Sequence, residues 1–364
     1  MLRPLVVMLL AGTLLAQQPA KDPDNPPPGP DQAIPHFVTE LVNVLAPVLV
    51  YDRDGNFVNG LRPDQFHLMD NDKEQNIRVD VAYQPISMVI LVQANSAVEK
   101  MLPAINKIGN EIQPIILGGQ GEAAVIAFDH RIRTLQDFTS DPDKITMAVR
   151  KITPGSSSSH MVDAVEQAIF MLRHRPPSRR RIILLIGETR DVGSEARGRE
   201  TLISMQLNNI TMYAVDMSRI IEKLTAPPPV PTPDRLPPAM YPLPSNVPAT
   251  PNTVMQTYGT QGDSADFIPL MMEIYRDAKA VFKRNPVEIF TNGTGGSQFS
   301  YYRRNGLEEA IERIGEQLHS DYLISYSPNN RLEGGFHRIS VYVNSPLARR
   351  IQVRPGYWLA PDNR

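Results

Sequence analysis

Apolar and polar residues follow two rhythms along this chain, and the change between them divides it. Residues 36–84 keep a period of two. Val42, Val44 and Ala46 share one parity, Val48-Leu49-Val50-Tyr51 follows, and Ile77, Val79 and Val81 alternate again. Turn residues at Asp52-Arg53-Asp54-Gly55 and Asp70-Asn71-Asp72 bracket Phe66-His67-Leu68-Met69. This pattern predicts a small antiparallel β module with one buried face. The same period returns near the other end. Tyr322, Ile324 and Tyr326 alternate, as do Ile339, Val341 and Val343, with Glu333-Gly334-Gly335 as a turn and Ile351-Gln352-Val353 beyond. The economical arrangement is a β-sandwich made from both ends, 36–84 packing with 321–358.

From Ile86 the rhythm changes. Short apolar runs at 88–92, 122–128, 182–186 and 210–215 read as strands, separated by helical patterns at 98–112, 161–173 and 195–207. A further helix is expected over 264–283, a sharp loop at Gly293-Thr294-Gly295-Gly296, and a helix with Leu307, Ala310, Ile311, Ile314 and Leu318 on one face. Alternating strands and helices predict an α/β domain over residues 85–320 with a doubly wound, mostly parallel sheet. It is interrupted at 225–262 by an insertion. Eleven prolines fall between 227 and 251, which excludes a ladder or a helix and implies an exposed loop of polyproline character. The preferred reading is a tolerated surface insertion; the sharper one is a second contact on an aromatic groove of a partner.

Residues 1–16 set the expected compartment. Arg3 precedes an apolar stretch, Leu5 to Leu15, too short to span a bilayer, and Ala16 precedes Gln17-Gln18. This reads as a cleaved secretory signal, although Leu14 stands where a small residue is usual; an uncleaved anchor is the alternative. Residues 17–35, rich in Pro, read as a flexible leader. The expected location is therefore periplasmic or extracellular. With no second long apolar run, the mature chain is not expected to be an integral membrane protein. There is no cysteine, which excludes disulfides, thiolate metal sites and thiol nucleophiles. The 37 basic and 39 acidic residues give a net charge of −2, which argues against nucleic-acid binding driven by bulk charge.

Several stretches carry a resemblance: Val50-Tyr51-Asp52-Arg53-Asp54-Gly55-Asn56-Phe57-Val58-Asn59-Gly60-Leu61 with Phe66, then Thr294-Gly295-Gly296, then Asp321-Tyr322-Leu323-Ile324-Ser325-Tyr326-Ser327-Pro328, and Arg354-Pro355-Gly356-Tyr357. In this order, over roughly residues 37–357, they resemble the von Willebrand factor type A domain family, and more closely the A-related proteins common in Acidobacteria. The resemblance implies a site at the carboxyl ends of the parallel strands. There, in the family, Asp-x-Ser-x-Ser on a first loop, Thr on a second and Asp on a third hold a divalent cation. Here the first loop reads Gln93-Ala94-Asn95-Ser96-Ala97, so Gln93 replaces the Asp, Asn95 the first Ser and Ala97 the second. Ser159 falls at the Thr position, and Gly187 stands where the third-loop Asp is expected, with Glu188 next and Asp191 near. Two readings follow. Ser96, Ser159 and Glu188 are weak candidates for a Mg²⁺ or Ca²⁺ site. The preferred reading is a metal-free polar face in which Gln93, Asn95, Ser96, Ser159, Glu188 and Asp191 contact another protein.

Other chemistry is sparse. Seven histidines show no close pair at metal spacing. Ser159, His160 and Asp163 invite a triad reading, but a local run at a helix start is better explained by Ser capping the helix and Asp complementing its dipole. No nucleophile elbow, zinc-protease or phosphate-loop pattern occurs. The acidic turns are expected to be hairpin turns rather than calcium loops. Arg173-His174-Arg175 with Arg179-Arg180-Arg181 reads as a solvated helix-to-strand connection, with an anionic surface partner as the alternative. Together these predict an exported, non-enzymatic binding protein of the adhesion or scaffold type. The rival readings are a structural envelope component with no active face and an unrecognised hydrolase.

Overall fold

The computed structural model describes residues 43–80, 84–218, 221, 285–300 and 306–359. The expected signal, the leader, the whole proline-rich insertion and the helix expected over 264–283 lie outside these residues. The chain enters through β1 (Val44–Tyr51), β2 (Phe66–Asp70), β3 (Lys73–Glu74) and β4 (Ile77–Asp80). It continues through β5 (Ile86–Gln93), α1 (Leu102–Ile108), β6 (Glu122–Phe128), β7 (Ile132–Thr139), α2 (Pro142–Arg150) and α3 (Met161–Leu172). Next come β8 (Arg180–Gly187), α4 (Gly198–Leu207), β9 (Ile210–Asp216), α5 (Pro286–Thr294), β10 (Gln298–Ser300) and α6 (Gly306–Ser320). β11 (Tyr322–Tyr326), β12 (Gly335–Val343), β13 (Arg350–Val353) and β14 (Gly356–Leu359) complete the described chain.

The central sheet has the order β10-β9-β8-β5-β6-β7, parallel except for the antiparallel pair β6–β7. All eight residues of β5 are buried, because both sheet faces are covered by helices. Met88, Ile90 and Val92 point to one core with Ile105, Ile145 and Ile311. Val89 and Leu91 point to the other with Val165, Ile169, Leu202 and Phe290. From β5 the chain moves to β6 on one side and later to β8 on the other. The carboxyl end of β5 is thus the point where strand order reverses, the usual place for a binding crevice in such sheets.

The predicted strands and the helix at 161–173 are present within a residue or two. The helix expected over 98–112 divides into a 3₁₀ stretch (Ser96–Met101), α1 and a π-helical turn (Gln113–Leu117). Pro103 in the first turn of α1 and Pro114 in that of the π segment start new pieces, since proline suits a first turn and not an interior. The sharp loop expected at Gly293–Gly296 is a correction: α5 runs through Gly293 to Thr294, and only Gly295, at φ +83°, closes it in the left-handed conformation.

Two further sheets, β13-β1-β11-β4 and β14-β12-β2-β3, are antiparallel and mix strands from residues 44–80 with strands from residues 322–359. β1 pairs with β11 from Val44↔Tyr326 to Val48↔Tyr322, and β2 pairs with β12. They share one apolar core that includes Val48, Phe66, Leu68, Ile324, Ile339 and Tyr357. The acidic turns are backbone devices. Asn71 and Asp72 both take positive φ, as a two-residue hairpin between β2 and β3 requires. Asp52 Oδ1 accepts the N–H groups of Asp54 and Asn56.

The basic cluster is a partial correction: Arg173 and His174 are exposed as expected, but the other four residues are not. Arg175 grips Glu122 with both arms, Arg179 bonds Ser87 and the carbonyls of Ile86 and Gln120, and Arg181 bonds the carbonyls of Asn208 and Arg175. Arg180 and Asp321 form a buried bidentate pair. These guanidinium groups stitch the amino-terminal ends of the strands together and are not a solvated connection. The fork geometry of arginine suits such multiple carbonyl and carboxylate contacts.

Candidate functional site

Gln93 is the last residue of β5 and is fully buried. Its Oε1 accepts the backbone N–H of Glu188 at 2.6 Å, and its Nε2 donates to Glu188 Oε2 at 2.9 Å. A backbone N–H can meet only the carbonyl side of the amide, so these two contacts set its orientation. Gly187 makes room for it: a Cβ at 187 would stand 2.7 Å from Gln93 Oε1. The long side chain at 93 and the missing one at 187 are therefore one feature, a clasp between the ends of β5 and β8.

Other loops lock around this clasp. Ala94 N–H donates to the carbonyl of Phe128, Gly155 N–H to that of Ala94, and Ser96 N–H to that of Ser156. Asp129, which directly follows β6 and is fully buried, accepts from the N–H groups of Arg131 and Ser156. Burial pushes its carboxyl up, but those two N–H groups and neighbouring His130 outweigh burial and hold it below its ordinary value. A Cβ at Gly155 would fall 1.6 Å from Asp129 Oδ2, so only glycine allows the second loop to lie this close. Ser159 forms an antiparallel bridge with Val192, and Ser158 Oγ donates to the carbonyl of Val192.

The third loop is anchored to the second through α3. Asp191 Oδ1 accepts the N–H groups of Met161 and Val162 and the hydroxyl of Ser194. Asp163 returns the contact by accepting the N–H groups of Glu195 and Ala196. The expected capping by Ser159 is thus corrected. His160 occupies the cap position without a side-chain bond, and the capping oxygen comes from Asp191. Ser159 is held in its bridge one residue too early to serve.

Of the residues expected to form the contact face, Gln93 and Glu188 are joined directly, and Ser96 is exposed on the rim. Asn95 and Ser159 are each only 3% exposed, yet Asn95 Oδ1 and Ser159 Oγ have no hydrogen-bond partner among the described residues. Asp129 and Asp216 were missed. Both follow or end a strand at this edge of the sheet, and that position was the signal available. Asp216 accepts from Ser218 N–H, Ser300 Oγ and Gln298 Nε2, which ties β9 to β10.

The divalent ion implied by the resemblance does not fit this donor set. The position of its leading carboxylate presents an NH₂ group turned to Glu188. Asp129, Asp191 and Asp216 are spent on backbone N–H groups, hydroxyls and the Gln298 amide, which leaves one carboxylate, Glu188, with Ser96, Ser159 and Asn95 as neutral oxygens. A hard cation needs more anionic oxygen than that for tight binding. Among the described residues no group of three His, Asp or Glu side chains is arranged to hold a metal.

Relay chemistry fares no better. His160 Nδ1 lies 3.4 Å from Asp163 Oδ2, but Ser159 Oγ bonds neither. His130 Nδ1 faces both Ser156 Oγ at 2.8 Å and Asp129 Oδ1 at 3.2 Å. A relay needs hydroxyl and carboxylate on opposite ring nitrogens, and here both share one. His337 pairs with Asp70 at 2.7 Å, but both side chains are wholly buried in the sandwich core.

Residues 87–189 match the family model of the von Willebrand factor type A domain. No curated protein matches the chain. Among solved structures, the chain is similar to the von Willebrand domain of the type V pili tip protein Mfa5 from Porphyromonas gingivalis, with 17% identity and a TM-score of 0.27 over 30% of this chain and 40% of that one. It is similar to proximal thread matrix protein 1 from the mussel byssus, with 11% identity and a TM-score of 0.42 over 68% and 49% of the two chains. Similarity to BatB from Bacteroides thetaiotaomicron has 13% identity and a TM-score of 0.38, over 64% and 98%. The chain thus spans less than half the length of the first two. The match at 87–189, together with the six-stranded, mostly parallel sheet, gives the α/β portion of this chain the von Willebrand factor type A fold.

Proposed function

We propose that this chain is an exported, non-enzymatic protein-binding protein of the adhesion or scaffold type. It engages its partner through the loops at the carboxyl end of the A-type sheet, with a metal site that has been replaced by the Gln93–Glu188 clasp. One observation carries the reading: the loops after β5, α2 and β8 meet at the carboxyl end of β5, where strand order reverses, and hydrogen bonds lock them to one another. Interlocked loops suit this role because a rim already fixed in place loses little freedom on binding.

Export rests on the amino-terminal residues, and the closer kinship with the A-related proteins of Acidobacteria rests on the motifs from Val50 to Tyr357. Among the described residues no helix is long and apolar enough to cross a membrane.

The test is recovery of partners from envelope extract by the wild type and by the triple variant Gln93→Ala/Asn95→Ala/Glu188→Ala, with circular dichroism to verify folding. The reading expects partner recovery to fall by about tenfold or more, the effect of removing a few central contacts. Equal recovery by both proteins sinks it and favours a structural envelope component with no active face.

A further inference from the structure

We infer that Asn59-Gly60 is a site of spontaneous modification, at which the asparagine amide is lost to water and the main chain is rerouted through an isoaspartate. The inference stands apart from the protein-binding reading and concerns the β-sandwich.

Three Asn-Gly pairs occur in the chain, at 59, 292 and 305, and Asn305 lies outside the described residues. The reaction needs the glycine nitrogen to reach the side-chain carbon of the asparagine. That nitrogen must be free, the backbone must be able to turn, and no neighbour can stand in the way. Asn59 and Gly60 are both exposed between β1 and β2. Neither the Asn59 side-chain amide nor the Gly60 N–H makes a hydrogen bond among the described residues. Gly60 takes φ +78°, and nothing stands within 4 Å of where its Cβ would be. Glycine enters this conformation without steric cost. Asn292 and Gly293 instead lie inside α5, where the helical ladder takes the glycine N–H. A Cβ at Gly293 would stand 2.8 Å from Leu202 Cδ1, and its carbonyl accepts from Gln206 Nε2.

In the step itself the Gly60 nitrogen gives its proton to hydroxide and bonds to Asn59 Cγ. The Cγ–Nδ2 bond breaks, and the amide leaves as ammonia with a proton taken from water, which restores the hydroxide. Water then opens the cyclic imide. Opening at Cγ gives an aspartate. Opening at the main-chain carbonyl gives isoaspartate, in which the chain runs through Cβ and Cγ and is longer by one carbon.

The added carbon falls inside a clamp. The hydroxyl of buried Tyr322 accepts the N–H of Leu61 at 3.0 Å and donates to the carbonyl of Val58 at 2.8 Å. Val58 N–H is in turn held by the carbonyl of Val50. One hydroxyl thus fixes the spacing of residues 58 and 61, with only Asn59 and Gly60 between them. Hydrogen bonds weaken steeply as geometry departs from ideal, so the longer chain cannot keep both. Val58 and Leu61 pack in the sandwich core, and loss of the clamp loosens them. The conversion is a one-way mark of age on the sandwich, read through Tyr322.

The test ages the full chain in heavy-oxygen water at neutral and at mildly alkaline pH. Peptides are mapped by mass spectrometry with fragmentation that separates aspartate from isoaspartate, and amide exchange at Leu61 is followed in fresh and aged protein. Asn59→Gln is the control, because glutamine keeps an exposed amide and cyclises far more slowly. Asn59 should take up heavy oxygen more than about tenfold faster than Asn292, which reacts only in the fraction of molecules whose α5 has opened. Uptake should be faster at alkaline pH, and isoaspartate should be among the products. Leu61 N–H should exchange about tenfold faster in the aged wild type, as loss of one hydrogen bond implies, and should keep its protection in aged Asn59→Gln. Equal labelling at 59 and 292, aspartate at 59 without isoaspartate, or unchanged Leu61 protection in a wild type that carries isoaspartate would each overturn the inference. Loss of that protection in aged Asn59→Gln would overturn it too, since the ageing would then lie elsewhere.

Discussion

Asp70 is wholly buried, and its carboxylate accepts from His337 Nδ1, Asn330 Nδ2 and the hydroxyls of Tyr326 and Tyr357. One residue from the amino-terminal strands thus gathers donors from β11, β12, β14 and the turn before β12. Burial pushes its carboxyl up, but the donors of His337, Tyr357 and Asn330 outweigh burial and leave it below its ordinary value of 3.8. A carboxyl lowered by folding contributes stability above its unfolded value, and that contribution is lost as pH falls through the folded one. Asp70→Asn should therefore cost about 2–4 kcal/mol near neutral pH, where it leaves donors without a charged acceptor. The gap to wild type should shrink as the pH is lowered below about 4. Urea unfolding at a series of pH values measures both, and a gap that stays constant into acid would contradict the assignment. At the rim, Gln93 and Gly187 follow the same logic of compensation, one side chain filling the space another leaves.

α3 illustrates how an element can be held by a distant residue. Its cap is Asp191, which belongs to the loop after β8. Asp191→Ala should destabilise the fold by about 1–2 kcal/mol, the usual cost of a lost capping side chain. Ser159→Ala should have a much smaller effect on stability, because its hydroxyl caps nothing. Chemical denaturation of the two variants separates these outcomes, and equal losses would reinstate Ser159 as the cap. The existence of α3 was legible in its spacing: Met161, Val165, Ala168, Ile169 and Leu172 recur on one face. So were the core strands, whose apolar runs are long enough to stand out. β7 and α2 were not, because β7 is an edge strand without a fully buried residue, so no alternation marks it. The place of the site was legible from the order of strands and loops. Its chemistry was only half legible. Position by position, Gln93 reads as a missing carboxylate, whereas in three dimensions it is the partner of Glu188, a residue far along the chain. Asp191 reads as a free carboxylate, but α3 uses it. Contacts of this kind depend on which loops the fold brings together, and local pattern carries no record of them.

At the scale of the described residues, strands from 44–80 and 322–359 meet in the sandwich while the segment between them builds the sheet that carries the site. The buried Arg180–Asp321 pair links the first residue of β8 to the residue just before β11. It fixes the bottom of the parallel sheet against the start of the returning strands. The rim of loops stands at the opposite ends of the same strands, so the anchored edge and the proposed binding edge are separate. This division yields the most direct test of the account. A photo-crosslinking amino acid is placed at Ser96, exposed on the rim, and in a second protein at Gly119, exposed just before β6 at the anchored edge. Both are irradiated in cells of the native host. The account expects a discrete crosslinked partner from position 96, retained when divalent metals are chelated, and none from position 119. Equal capture at both positions, or capture at 119 alone, would contradict the claim that the carboxyl-end loops are the binding face.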